Sequence, residues 1–67
     1  MIKLSLVIPC YNESKNLPLL LNRCKEIAKR EDNIEFVIVD NGSTDDTSLV
    51  LDELALNLDY ITRVKVE

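Results

Sequence analysis

The sequence predicts an α/β fold class, a β-α-β-α-β unit whose three strands form a parallel sheet in the order 3-2-1. Three observations predict it. Two apolar stretches, Leu4-Ser5-Leu6-Val7-Ile8 and Ile34-Glu35-Phe36-Val37-Ile38-Val39, have strand length and end abruptly in polar groups. Each is followed by apolar residues at helical spacing. A third stretch, residues 60–67, alternates as a strand does. Short connections and right-handed crossovers then lay consecutive strands side by side.

The first strand, residues 4–8, reads as buried and is interrupted only by Ser5. Pro9 is expected to end it, because proline has no N–H to give to a sheet ladder. After a loop over residues 10–14, Leu17, Leu20, Leu21, Cys24, Ile27 and Ala28 mark one face of a helix. That helix is predicted over residues 16–30, with Asn16 as its cap and Pro18 in the first turn, where a missing N–H costs little. Lys25, Lys29 and Arg30 gather toward its C-terminal end and suit the negative pole of the helix dipole. Glu31-Asp32-Asn33 then breaks it.

Residues 34–39 form the second strand, β-branched and aromatic and apolar on both faces from Phe36 onward, which predicts a central strand covered on both sides. Gly42-Ser43-Thr44-Asp45-Asp46 is a turn that supplies a permissive backbone position and aspartates whose commonest role is to cap a second helix. Val50, Leu51, Leu54 and Leu58 give that helix its buried stripe. In the last stretch Thr62, Val64 and Val66 fall on one side and Arg63, Lys65 and Glu67 on the other, as suits a charged edge strand. The order 3-2-1 leaves the first strand one neighbour only. Its buried character therefore predicts cover by a further strand or by a second copy of the chain.

Composition narrows the function classes. Sixty-seven residues make one small domain at most, and such a domain buries only about 60% of the surface its unfolded chain exposes. With 46% hydrophobic and 30% charged residues, disorder is disfavoured. Eight basic against twelve acidic residues, a net charge of -4, leave no basic stripe, so no nucleic-acid partner is expected. The longest wholly apolar run, residues 36–39, falls far short of the roughly 20 residues that cross a bilayer. Met1-Ile2-Lys3 and the short stretch after it are too brief for a secretory signal. These features predict a cytoplasmic chain with no direct membrane segment. The absence of histidine excludes Cys-His and Ser-His pairs and histidine metal ligation from these residues. Cys10 and Cys24 match no metal or redox pattern and read as reduced packing residues. A single glycine excludes both the GxGxxG and the GxxxxGK[ST] phosphate loops.

In an open α/β sheet the ligand crevice lies beyond the carboxyl ends of the strands, so the two polar strand ends are the candidate binding edges. Val7-Ile8-Pro9-Cys10-Tyr11-Asn12-Glu13, followed about 30 residues later by Phe36-Val37-Ile38-Val39-Asp40-Asn41-Gly42-Ser43-Thr44-Asp45, resembles the N-terminal part of family 2 glycosyltransferases. The resemblance implies a GT-A fold, of which residues 1–67 would be the Rossmann-like, nucleotide-sugar-binding N-terminal half. It implies a nucleotide-diphosphate sugar donor, most often a UDP-sugar. It also implies a full-length enzyme that inverts the transferred sugar, using Mg²⁺ or Mn²⁺ and a carboxylate base on the acceptor hydroxyl, at the cytoplasmic face of a membrane if attached to one. The family's Asp-x-Asp metal motif follows a fourth strand, so neither metal nor base is expected among residues 1–67. The chain is expected to bind donor without transferring it.

By position in the family motifs, Pro9, Tyr11 and Glu13 are implicated in the base and ribose pocket. The second block usually reads Asp-Asp-Gly-Ser, its second aspartate meeting the uracil; Asn41 stands there in this chain, beside Asp40. Uracil offers a π-face and one imide N–H, needs that an aromatic ring at Tyr11 and an oxygen acceptor at Asp40 or Asn41 can meet. Asn41 accepts without charge and also presents donors, so it departs from the uracil pattern. Each residue also has a plainer reading. Tyr11 could pack on the neighbouring helix, Glu13 could close its loop by accepting backbone N–H bonds, and Asp40 could tie down the strand-end turn. Asp45-Asp46 is not the metal motif by position. The alternative functions are a noncatalytic α/β module that self-associates or complements another chain, and an unrelated doubly wound binding domain.

Overall fold

A computed structural model describes residues 4–66. The elements run β1 (Leu4–Cys10), α1 (Leu17–Arg30), β2 (Ile34–Asn41), α2 (Thr47–Leu54) and β3 (Ile61–Val66). The three strands form one parallel sheet in the order β1-β2-β3, the expected 3-2-1 arrangement and a partial Rossmann-like, GT-A-type half. Glu67, expected on the charged side of the last strand, lies outside the described residues.

β1 differs from expectation in two ways. It runs through Pro9, which pairs with Val39, and ends at Cys10. The reason is the alternation of backbone direction along an edge strand. Leu4 donates its N–H to Asn33 O, so the even-numbered amides of β1 point toward β2 and the nitrogen of Pro9 points to the open edge, where no ladder bond is lost. Nor is β1 buried over residues 4–8: Leu4 is 51% and Val7 64% exposed, because among the described residues the strand has one neighbour and little above it, and only Cys10 at its end is buried.

β2 is central, as expected, but covered on one face. Ile34, Phe36, Ile38 and Asp40 are buried while Glu35, Val37 and Val39 between them are half-buried. Two right-handed crossovers stepping the same way put both helices on the same side of the sheet. Leu17, Leu21 and Cys24 of α1, and Leu51 of α2 with Ala55 just past its end, close over Phe36 and Ile38 there. Phe36 also meets Tyr60 edge to face, with ring centroids 6.3 Å apart. On the other face Ser5 and Thr62 both donate to the Glu35 carboxylate, and Val7, Val64 and Val66 remain exposed.

Helix ends carry further differences. Asn16 occupies the N-cap of α1 but its side chain accepts no capping bond; the Glu13 carbonyl instead accepts from the amides of Asn16 and Leu17. α2 stops at Leu54, so Leu58 of the expected stripe lies in the following turn, still packed on the core. Arg63 and Lys65 lie on the helix side of β3 and both reach Asp52 of α2, at 3.2 and 3.4 Å.

Candidate functional site

The carboxyl ends of β1 and β2 are adjacent because the strands are parallel and in register, Cys10 opposite Asp40. Each end opens into a loop with a residue in the left-handed region: Asn12 at φ 50° and Gly42 at φ 72°. Glycine takes that conformation without steric cost, and asparagine is one of the few other residues that tolerates it. The two loops therefore turn sharply and meet.

They are joined by side chains. Asn12 Oδ1 accepts from the backbone N–H of Thr44 at 2.8 Å and of Asp45 at 3.3 Å, while Asn12 Nδ2 donates to Thr44 Oγ1 at 3.2 Å. The Asn12 N–H donates to Ser43 Oγ at 3.0 Å, and that hydroxyl donates in turn to Asp40 Oδ1. Fully buried Thr47 forms a second link: its Oγ1 accepts from the Glu13 N–H at 2.9 Å and donates to Asp45 Oδ1. Ser14 adds a bond to Asp45 Oδ2 at 3.3 Å.

The five predicted site residues sit on or beside this seam. Asp40 is buried, and its Oδ1 also accepts from the Ser43 N–H, so it does tie down the strand-end turn. Asn41 follows it, exposed, at the last position of β2. Tyr11 is 56% exposed, which means that packing on α1 does not bury it. The Glu13 carboxylate accepts from Asn16 Nδ2 at 2.8 Å; the loop's backbone amides go to its carbonyl instead. Pro9 lies exposed in β1. An open depression of about 370 Å³ beside the ends of β2 and β3 is lined by Asp40, Gly42, Ser43, Ser48, Lys65 and Val66. The other four predicted residues lie outside that lining.

Charge and burial set the chemistry. Asp45 is held below the ordinary aspartate range chiefly by the Thr47 hydroxyl, helped by the Thr47 amide and by Ser14. Its capping role is thus performed through Thr47, whose N–H donates to Asp45 Oδ1 at 2.9 Å. Burial pushes the Cys10 thiol up, and the nearby Glu13 and Asp40 carboxylates add to it. Burial also raises Cys24. Neither thiol is poised as a nucleophile. Among the described residues no three His, Cys, Asp or Glu side chains group as a metal-holding set.

Sequence reasoning missed Asn12 and Thr47 and set aside Ser43 and Thr44. The signal lay in composition: a Ser-Thr-Asp turn at residues 43–47 offers hydroxyls, and Asn12 in the facing loop presents both a donor and an acceptor and is of a residue type that tolerates a left-handed turn.

The chain is 44% identical over 57 residues to an undecaprenyl-phosphate 4-deoxy-4-formamido-L-arabinose transferase of Proteus mirabilis, covering 79% of this chain and 17% of that protein. It is 46% identical over 55 residues to the protein of that name from Pseudomonas savastanoi, covering 76% and 15%. It is 42% identical over 50 residues to a polyprenol monophosphomannose synthase of Mycolicibacterium smegmatis, covering 75% and 18%. The chain thus spans less than a fifth of the length of these relatives. The family model for glycosyl transferase family 2 matches residues 5–67, and the chain belongs to that family.

Proposed function

We propose that these residues bind the nucleoside end of a nucleotide-diphosphate sugar, with uridine as the base, for an inverting glycosyltransferase. The observation that carries the reading is the seam itself, which holds Tyr11 and Glu13 beside Asp40 and Asn41 at adjacent strand ends in a member of a nucleotide-sugar-using family. Tyr11 is exposed enough to stack on a base. Glu13, Asp40 and Asn41 supply acceptors for the ribose hydroxyls and the imide N–H. A carboxylate-rich edge suits those donor groups and repels a diphosphate, so the phosphates, the Mg²⁺ or Mn²⁺ that would neutralise them and the transfer chemistry are assigned outside these residues. Binding here is separate from transfer.

The relatives' names speak of an undecaprenyl phosphate and a polyprenol. We carry to this chain an acceptor of that class, a polyprenyl phosphate, which would bring the transfer to a membrane surface, on its cytoplasmic face. Among the described residues no helix is long and apolar enough to cross a membrane.

Titration of the intact protein with UDP, followed by amide shifts, tests the reading. Shifts are expected at Tyr11, Asp40 and Asn41; a folded sample whose shifts fall only elsewhere would falsify it. Asn41→Asp restores a charged acceptor, and a charge-assisted bond exceeds a neutral one by about 1 kcal/mol, or about fivefold in Kd. UDP is expected to bind the variant that much more tightly, with CDP unaffected.

A second reading, self-association through the open edge of β1, is favoured by one observation. Leu4, Leu6 and Val7 are exposed along that edge, and the amides of Ser5 and Val7 point outward from it by the same alternation that accommodates Pro9.

A further inference from the structure

We infer that Asn12 is the positioning residue of the site: it sets the distance between the loop that carries Tyr11 and Glu13 and the loop that follows Asp40 and Asn41. The inference rests on the nucleotide reading above and assigns the geometry of that site to one side chain. Asn12 uses three groups on one partner loop. Its Oδ1 takes the amides of Thr44 and Asp45, its Nδ2 reaches Thr44 Oγ1, and its own N–H reaches Ser43 Oγ, which bonds Asp40. No bond to a nucleotide is required of it.

The backbone narrows this role to asparagine or aspartate. At φ 50° most side chains strain the chain, and glycine relieves the strain without offering a side chain. Aspartate tolerates the same φ and keeps the two acceptor bonds to Thr44 and Asp45 while losing the Nδ2 donor. The two substitutions therefore separate the conformational requirement from the clamp. A pocket assembled from two loops binds well only when both are held in place before the ligand arrives, since any ordering left to the ligand subtracts from affinity.

Asn12→Gly is expected to weaken UDP binding about tenfold and to speed hydrogen exchange at the Thr44 and Asp45 amides, with exchange in β2 unchanged. Asn12→Asp is expected to stay within about threefold of the parent in Kd and to keep both amides protected. This rescue distinguishes positioning from general loss of structure. Parent-like UDP affinity in Asn12→Gly overturns the inference and leaves the nucleotide reading intact. So does Asn12→Asp binding UDP about tenfold more weakly than the parent, which also decides the matter should Asn12→Gly fail to fold. A parent that binds no UDP sinks the nucleotide reading instead. The clamp is then judged by exchange alone, and unchanged protection of Thr44 and Asp45 in Asn12→Gly overturns it.

Discussion

Asp45 shows how one carboxylate can organise two loops without belonging to a pocket. Its two oxygens take Thr47 N–H, Thr47 Oγ1 and Ser14 Oγ, and those bonds favour the charged form. A carboxyl whose folded pKa lies below its unfolded value of about 3.8 stabilises the fold above that pH, and the contribution is lost as pH falls through the lower folded value. Asp45→Asn is therefore expected to be less stable than the parent at pH 7 and to converge on it as pH falls below about 4. Urea midpoints measured across that range check this; a constant difference would assign the effect to something other than ionisation. The neighbouring aspartate does less. Asp46 occupies the N-cap of α2, yet its side chain accepts no capping bond.

Among the elements, β1 and β2 have similar apolar sequences and different surroundings. Ile38 is fully buried in the centre of β2, and Ile38→Val removes one methylene from a filled site at a cost of about 1 kcal/mol. Pro9 sits in β1 with its nitrogen toward the open edge, so Pro9→Ala loses no ladder bond and changes only the freedom of the unfolded chain, a cost under about 1 kcal/mol. Urea denaturation of the two variants checks both values. A loss above about 2 kcal/mol in Pro9→Ala would mean that the proline's ring packing matters more than its backbone direction. The α2–β3 pair is tied differently, by Asp52 accepting from both Arg63 and Lys65. These groups are more than a third exposed, and pairs of that kind contribute little, about 0.5 kcal/mol at most.

The molecule as a whole is two-layered: helices on one face of the sheet, and on the other a strip of valines with a polar group, Ser5-Glu35-Thr62, at one end. Val7→Thr with Val64→Thr makes that strip more polar without removing buried volume, since the two residues are 64% and 38% exposed. The double variant is expected to lose less than about 1 kcal/mol and to bind less of an apolar fluorescent dye. A loss of several kcal/mol would show that something covers this face in solution.

Element order, the parallel 3-2-1 sheet and the family were all legible from residue pattern, because apolar periodicity and two strand-end motifs depend on neighbours close in sequence. The positions of Tyr11, Glu13, Asp40 and Asn41 at adjacent strand ends followed from the same reading. What covers each face did not follow. An apolar run looks the same whether one side or both sides are buried, and only the handedness of two crossovers places both helices on one face and leaves Val7 and Val64 outside. Pro9 was misjudged for a related reason: its effect depends on which way its nitrogen points, and the edge position of β1 decides that. The clamp at Asn12 was likewise invisible, since its partners lie 31 to 33 residues away and meet it only once two parallel strands stand in register with their loops turned toward each other.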